Sequence, residues 1–247
     1  MCRMLGYLGP PITLQWLLYD PPHSLHAQAW APRQQQSGLL NADGFGVGWY
    51  DHDRRPEPAR YRSTRPMWAD HSFASMAGVV ASRAVLAAVR SATPPSPTEE
   101  SSTPPFTDGP WLFAHNGMID GFRDGIASRL RRTLSERREA AITGASDSEV
   151  LFAIVLDRLD EGLPAPAALA CAALAVEEVA TGNLTMLLTD GTHITGVTAG
   201  NPLSALRGDH LVVVASEPFD DDPSWDALPD RSSFEARPGV LDVQSLA

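Results

Sequence analysis

The two strongest helix patterns of the sequence are adjacent, and strand-like segments lie on both sides of them. The first begins at the capping box Ser146-Asp147-Ser148-Glu149 and is predicted to run through Leu159, and the second is predicted over 166–181. Regular alternation of strands and helices would indicate a parallel sheet. Because the helices are instead grouped between strands, the order favours an α+β fold with helices layered against largely antiparallel sheets.

The strand candidates are short segments with apolar, β-branched or alternating composition. A short helix at 13–19 and a helix at 120–138 are predicted among them. The candidates are 2–8, 45–50, 59–63, 83–89, 111–114, 184–189, 193–198, 211–215 and a C-terminal pair near Phe234 and Val240. His115-Asn116-Gly117, directly after one of them, has the composition of a turn.

A proline-rich segment interrupts the chain between two strand candidates. It runs from Pro94 to Pro110 and contains Ser, Thr and Glu between its prolines. This composition predicts an internal loop within a single domain that covers residues 2–247. Loops of this length are often lids over a functional site, and the sequence does not distinguish a lid from a disordered segment.

Charge and composition exclude several classes of function. A net charge of −11 and a pI of about 5.0 disfavour nucleic acid as a partner, because phosphate binding requires a basic surface. All 19 positive side chains are arginine. The absence of lysine rules out a Walker lysine, a Schiff-base lysine and a Ser-Lys dyad.

Cysteine content and hydropathy indicate a cytoplasmic protein without a membrane role. Cys2 and Cys171 are the only cysteines, which is too few for a disulfide framework and typical of a reducing compartment. The apolar stretch at 165–176 is too short to span a bilayer. The N-terminal residues lack the pattern of a signal peptide, because Pro10 and Pro11 interrupt the only apolar run.

Cys2 is a candidate nucleophile because it directly follows Met1. Removal of the initiator methionine before a small residue would leave a thiol and a free α-amine on the same residue. An α-amine titrates near pH ~8 and can accept the proton of the thiol or of a water molecule. Taken alone, however, Cys2 is more simply explained as an inert cysteine packed in a strand.

Five ordered segments of the sequence resemble class II glutamine amidotransferases, in which a cysteine at the mature N-terminus is the nucleophile. Each segment is short and weak alone, and their order makes the resemblance specific. Further matches near residues 105–112 and 215–223 resemble hydrolytic members of this family. The five segments are Met1-Cys2-Arg3, Asn41-Ala42-Asp43-Gly44-Phe45-Gly46, Arg90-Ser91-Ala92-Thr93, His115-Asn116-Gly117 and Ser146-Asp147-Ser148-Glu149.

The resemblance implies a four-layer αββα sandwich of the N-terminal-nucleophile hydrolase type, with Cys2 at the end of a central strand. It also implies that the side-chain amide of Asn116 and the backbone N–H of Gly117 form an oxyanion hole. Taken alone, Asn116-Gly117 is more typical of a hairpin turn. Both interpretations are compatible, since a turn can also supply oxyanion donors.

The resemblance assigns the remaining residues to substrate binding. Arg90 would bind the α-carboxylate of a glutamyl group, and Asp147 its α-ammonium, although each also has a simple structural explanation as a strand-end arginine or a first-turn acid. Ser91 and Thr93 would add polar contacts. His115 would lie beside the oxyanion hole without transferring a proton.

The function implied is hydrolysis of a γ-glutamyl amide through a glutamyl thioester. No cofactor and no metal are expected, and the partner is a small γ-glutamyl substrate. The sequence is also compatible with a homo-oligomer. Two alternatives stay open: a glutaminase subunit that supplies ammonia to a separate synthase, and an inactive module that only binds glutamyl groups.

Overall fold

Two antiparallel β-sheets pack face to face and carry helices on both outer surfaces. The structure is a computed structural model and describes residues 2–35, 38–92 and 98–246. It is the αββα sandwich that the resemblance implied. Thr93 lies outside the described residues.

The first sheet has seven strands in the described part of the chain, and β1 is at its centre. The strand order is β11-β9-β10-β1-β4-β2-β3. Every pairing in it is antiparallel. Its strands are β1 (Arg3–Thr13), β2 (Phe45–Trp49), β3 (Ala59–Ser63), β4 (Ala81–Val89), β9 (Ser204–Arg207), β10 (Val212–Ala215) and β11 (Trp225–Ala227).

The second sheet has six strands among the described residues, in the order β13-β12-β8-β7-β6-β5. All of its pairings are antiparallel as well. The strands are β5 (Phe106–Asp108), β6 (Trp111–Ile119), β7 (Gly182–Thr189), β8 (Ile194–Thr198), β12 (Ser232–Arg237) and β13 (Val240–Ser245).

The helices form the two outer layers. α1 (Leu14–Leu18), α2 (Leu25–Trp30) and α3 (His71–Ala77) cover the first sheet. α4 (Ile126–Arg131), α6 (Asp147–Asp160) and α7 (Ala165–Glu177) cover the second sheet, and α5 (Glu136–Ala140) packs against α6. Among the described residues, no helix is both long enough and apolar enough to cross a membrane.

Strand alternation separates three apolar cores. In β1, Leu5 and Tyr7 pack toward the helices of the first sheet, whereas Met4 lies between the sheets. In β6, Leu112 lies between the sheets and Phe113 packs against α6 and α7. Successive side chains of a strand point to opposite faces, so each sheet contributes to the central core and to one outer core.

Two predictions about helices and turns were wrong. The helix predicted over 120–138 is divided into a 3-10 turn at Phe122–Asp124, α4 and α5. Gly125 adopts a φ of 109°, which does not continue a helix, and Ser135 then begins α5 as its N-cap. His115-Asn116-Gly117 is part of β6 rather than a turn, because β6 continues its pairing with β7 through Ile119.

The prediction of a structureless loop from Pro94 to Pro110 was wrong for its second half. Residues 94–97 lie outside the described part of the chain, and the rest contains a 3-10 turn at Glu100–Ser102 and the strand β5. Phe106 pairs with Phe113 and is buried, which fixes this strand to the sheet. Pairing with β6 and the burial of residues 102–106 therefore outweighed the local proline content.

Candidate active site

Cys2 lies directly before β1, at one end of the central strand of the first sheet. Its side chain is half-buried, and its thiol donates to the main-chain oxygen of Ser91, with Sγ and O 3.9 Å apart. The register of β1 and β4 pairs Arg3 with Val89, so Cys2 is adjacent to the segment that begins at Arg90. Cys2 is a free thiol.

The segment after β4 is fixed by Asp43. The Asp43 carboxylate accepts from the backbone N–H of Ala92 at 2.8 Å, and the Asp43 N–H donates to the carbonyl of Arg90 at 2.9 Å. The Arg90 N–H donates to Gly44, whose φ of 120° favours glycine. These hydrogen bonds position Arg90 and Ser91 beside Cys2. The sequence analysis had predicted no role for Asp43.

Asn116 is completely buried in β6. Asn116 is four residues after Leu112 in the same strand, so its side chain also points toward the first sheet. Its main-chain oxygen accepts a hydrogen bond from the side chain of Asn201 at 2.9 Å. Neither the nitrogen nor the oxygen of its side-chain amide has a hydrogen-bond partner in the described residues. Since buried polar atoms are nearly always paired, this amide is a donor available to a ligand.

Gly117 follows in β6 and lines the same cleft as Cys2. A side chain at this position would collide with the main-chain oxygen of Asn183, so only glycine fits against the neighbouring strand. The close packing keeps the backbone of Gly117 at the surface of the cleft.

Asp147 is the first residue of α6, and its position depends on the predicted N-cap. Ser146 Oγ accepts from the N–H of Glu149 at 3.2 Å, which confirms Ser146 as the cap. The Asp147 carboxylate accepts from the N–H of Ile119 at 3.1 Å and from the N–H of Ser148 at 2.8 Å. A carboxylate has about four acceptor sites, so capacity remains for an ammonium group in the cleft.

His115 lies between β6, β7 and α6. Its Nε2 lies 3.0 Å from the carbonyl oxygen of Asn183, and its Nδ1 lies 3.0 Å from Ser148 Oγ. Because a carbonyl can only accept, Nε2 carries a proton and donates it to Asn183. With both nitrogens engaged, His115 orients α6 against the sheet.

These residues surround one cleft of about 250 Å³. It is lined by the thiol of Cys2, by the guanidinium groups of Arg90 and Arg123 and by the carboxylates of Asp124 and Asp147, and the buried amide of Asn116 lies in β6 beside Gly117. The carboxylate and ammonium of an amino-acid head group match the opposite charges of Arg90 and Asp147. The predicted residues in the lining are Cys2, Arg90, Ser91, His115, Gly117 and Asp147, and Ser102 joins them without having been predicted.

A buried charge network lies on the opposite side of β1 from the cleft. Arg3 Nη1 contacts Glu217 Oε1 at 3.1 Å, and His23 Nε2 lies 2.7 Å from Glu217 Oε2. Burial alone would raise the pKa of Glu217, but hydrogen bonds from His23 and the backbone of Arg33 and Gln34, with the charge of Arg3, hold it below its usual value. No local pattern in the sequence predicts this network next to the nucleophile.

The family model described as class II glutamine amidotransferases matches residues 20–210. The chain therefore belongs to the class II glutamine amidotransferase family.

Within this family, the chain is similar to a γ-glutamyl-hercynylcysteine sulfoxide hydrolase of Mycolicibacterium smegmatis, with 41% identity over 247 residues and 100% of both chains covered. A hydrolase of the same name from Mycobacterium tuberculosis is 41% identical and covers 95% of this chain and 92% of its own.

Solved structures show the same fold. A glutamine aminotransferase class-II domain protein of Silicibacter pomeroyi superposes with a TM-score of 0.73, at 25% identity and with both chains fully covered. The glutamine phosphoribosylpyrophosphate amidotransferase of Bacillus subtilis gives a TM-score of 0.70 at 16% identity, and the match covers 100% of this chain and 49% of that one. The second likeness concerns the fold alone.

Proposed function

We propose that this protein hydrolyses the γ-glutamyl amide bond of γ-glutamyl-hercynylcysteine sulfoxide in ergothioneine biosynthesis. The products are glutamate and hercynylcysteine sulfoxide. The full-length similarity to hydrolases of that name supports the substrate, and the free thiols fit a reducing cytoplasm. The continuous central core supports a single domain over residues 2–247.

The observation that carries the proposal is the convergence of Cys2, Arg90, Gly117 and Asp147 on one cleft. Cys2 lies directly before β1, Arg90 directly follows β4, Gly117 lies in β6 and Asp147 begins α6. A packed core alone does not require a thiol, a guanidinium and a carboxylate to face one cavity. A γ-glutamyl amide requires all three.

The proposed reaction begins with the substrate held by its glutamyl end. Arg90 binds the α-carboxylate, Asp147 binds the α-ammonium, and Ser91 and Thr93 add polar contacts. The thiolate of Cys2 then attacks the γ-carbonyl carbon, and the negative charge moves to the carbonyl oxygen. The Asn116 amide and the Gly117 N–H stabilise this oxyanion.

The tetrahedral intermediate collapses when its carbon–nitrogen bond breaks. The α-amine of Cys2, which took the thiol proton directly or through water, returns it to the leaving nitrogen. Water then attacks the glutamyl thioester, which releases glutamate and restores the thiol. Each step requires a free amine on Cys2 and therefore removal of Met1.

A glutaminase that supplies ammonia to a synthase is the second candidate. Its support is the family itself, whose model is described as class II glutamine amidotransferases. Both candidates use the same glutamyl subsite and the same nucleophile, so they differ in the leaving group alone.

Glutamate release from the sulfoxide amide and from L-glutamine, measured in parallel, separates the candidates. We expect faster release from the sulfoxide amide, and faster release from glutamine would favour the glutaminase. Cys2→Ala should reduce release by about 10⁴-fold or more, because the nucleophile is lost. Cys171→Ala is the matched control, since Cys171 lies on α7 away from the cleft.

Intact mass must accompany these assays. A preparation that retains Met1 should be close to inactive, because its Cys2 nitrogen is part of a peptide bond and cannot accept the proton. Full activity of such a preparation, or of Cys2→Ala, would contradict the mechanism. Inactivity of the processed wild type on both substrates would support a module that only binds glutamyl groups.

A further inference from the structure

Asp147 has a polar neighbour in the catalytic cleft that has no role in the proposed reaction. Ser148, the second residue of α6, also lines the cleft. Its Oγ lies 3.3 Å from Oδ1 of Asp147, and its backbone N–H donates to the same oxygen at 2.8 Å. A hydroxyl oxygen and a carboxylate oxygen therefore lie side by side at the start of α6.

The hydroxyl of Ser148 has a second neighbour in the buried ring of His115. Ser148 Oγ lies 3.0 Å from Nδ1 of His115, whose Nε2–H donates to the carbonyl of Asn183. In a neutral ring with its proton on Nε2, Nδ1 carries a lone pair. This lone pair would face a lone pair of the hydroxyl oxygen across 3.0 Å unless the hydroxyl proton lies between the two atoms. A neutral ring therefore directs the proton of Ser148 toward His115.

This direction leaves two acceptor oxygens next to each other in the cleft. The lone pairs of Ser148 Oγ then face Oδ1 of Asp147, and no proton lies between these two oxygens. The contacts of the Asp147 carboxylate are backbone N–H groups and this hydroxyl, and no basic side chain of the described residues lies within ion-pair distance of it. An alkylammonium group carries three donors and can bind both oxygens at once.

The other charged groups at this end of the cleft are not fixed in the same way. Arg123 and Asp124 line the cleft as exposed neighbours of opposite sign, and no hydrogen bond holds the Asp124 carboxylate within the described part of the chain. The Asp147 carboxylate is held at Oδ2 by the N–H of Ile119 and at Oδ1 by the N–H of Ser148. The preorganised acceptor for a cation is therefore the pair formed by Asp147 and Ser148.

We propose that Ser148 Oγ is a second acceptor for the α-ammonium of a glutamyl group, and that His115 is a positioning residue that turns the hydroxyl proton away from the ligand. The ammonium donates one hydrogen to Asp147 and another to Ser148. The inference rests on the glutamyl site of the proposed function and names the groups that distinguish an amino acid from a simple dicarboxylate. The competing explanation is that Ser148 and His115 only fasten α6 to β6 and β7.

Isothermal titration with L-glutamate and with glutarate tests the proposal on the full-length protein from which Met1 has been removed. L-Glutamate is the proposed product and is not consumed. Glutarate has the same chain and both carboxylates but no ammonium. The ammonium preference is defined as the Kd of glutarate divided by the Kd of L-glutamate. We expect a preference of about tenfold or more in the wild type, because charge-assisted hydrogen bonds of the ammonium are absent with glutarate.

Variants of Ser148 separate a ligand contact from a structural role. Ser148→Ala should lower the ammonium preference by about threefold to tenfold, the factor that one hydrogen bond contributes, and should leave the Kd of glutarate unchanged. Ser148→Thr keeps a hydroxyl and should retain the preference. Ser128→Ala is the matched control, since Ser128 is exposed on α4 and does not line the cleft.

Variants of His115 test the direction of the hydroxyl proton. His115→Asn can place an amide oxygen near the position of Nδ1 and should retain the preference. His115→Gln reaches toward Asn183 instead and should lower it. Nitrogen NMR of ¹⁵N-histidine-labelled wild type at neutral pH should show His115 protonated at Nε2 and not at Nδ1, and the signal that is absent from His115→Gln assigns the residue. Thermal unfolding shows that each variant is folded.

Three results would overturn the proposal. They are an unchanged ammonium preference in Ser148→Ala, equal weakening of glutamate and glutarate in that variant, and a protonated Nδ1 in the wild type. Failure of the proposed function is a separate result. A wild type that prefers glutamate to glutarate but releases no glutamate from the sulfoxide amide would contradict the hydrolase and leave the assignment of Ser148 in place. Absence of glutamate binding to the folded, processed wild type would overturn both.

Discussion

Asn116 combines complete burial with an amide that has no partner in the described part of the protein. We predict that Asn116→Ala lowers kcat for glutamate release by about 10²–10³-fold, because one oxyanion donor contributes roughly 2.7–4 kcal/mol in the transition state. KM should change little, since the glutamyl end is held by Arg90 and Asp147. Steady-state kinetics of the purified variant measures both quantities.

Asn201→Ala is a matched control for this prediction. Asn201 donates to the main-chain oxygen of Asn116, so its removal disturbs the position of Asn116 but leaves the amide donor in place. We expect a smaller decrease of kcat than in Asn116→Ala. A large rise in KM with unchanged kcat in Asn116→Ala would show that the amide binds the ground state instead.

Glu217 is the buried counter-ion of Arg3, which follows the nucleophile in sequence. We predict that Glu217→Gln lowers the free energy of unfolding by roughly 3–5 kcal/mol, because a buried guanidinium loses its opposite charge. Urea unfolding measures the change. Glu177→Gln is the control, since Glu177 pairs with Arg231 at the surface and such pairs contribute about 0–1 kcal/mol.

The contribution of Glu217 should depend on pH in one direction. Its folded-state pKa lies below the ordinary value of 4.5, so the carboxylate stabilises the fold above that value and loses this effect as the pH falls through the folded-state pKa. The stability difference between wild type and Glu217→Gln should therefore be constant at neutral pH and shrink in acid. A difference that grows on acidification would contradict the assignment.

Residues of the site were predictable where a short motif carries them. Cys2, Arg90 and Asp147 each stand in a segment that resembles the family, and all three line the cleft. The ion pair of Arg3 and Glu217 joins residues 214 positions apart, and no local pattern indicates it. Thr93 stays a prediction, because it lies outside the described residues.

At the scale of single elements, the N-terminus of α6 connects stability to the site. We predict that Ser146→Ala lowers the free energy of unfolding by about 1 kcal/mol, because the N–H of Glu149 loses its acceptor. KM should also rise, since Asp147 is the next residue. Urea unfolding and kinetics measure the two effects, and Ser75→Ala, at an exposed position inside α3, should produce neither.

Local signals decided which elements the sequence predicts correctly. α6 has a cap and an apolar face within its own residues, and it begins and ends within one residue of the prediction. β6 continues through Asn116-Gly117 because it pairs with β7, which lies more than sixty positions later in the sequence. The local sequence contains no sign of this pairing, and for that reason Asn116-Gly117 resembled a turn. β5 is likewise held by pairing and burial of Phe106 despite its proline-rich surroundings.

At the scale of the whole molecule, the order of strands and helices predicted layers but not which strands share a sheet. The first sheet is formed by β1 to β4 and β9 to β11. In the sequence these two groups are separated by β5 to β8, which belong to the second sheet. Such pairings depend on contacts that are distant in sequence. The family resemblance supplied this information, because it carried the complete αββα arrangement.

The central core is shared by both sheets, and Leu112 of β6 is fully buried in it. We predict that Leu112→Ala lowers the free energy of unfolding by about 2–5 kcal/mol, because a cavity forms between the sheets. Tryptophan fluorescence and activity should still be lost in one transition, since neither sheet retains its inner face without the other. Val79→Ala, at a position that is 81% exposed, should change stability by less than about 0.5 kcal/mol. Two separate transitions in Leu112→Ala would show that the sheets unfold independently and that the cleft, which both sheets form, can open without global unfolding.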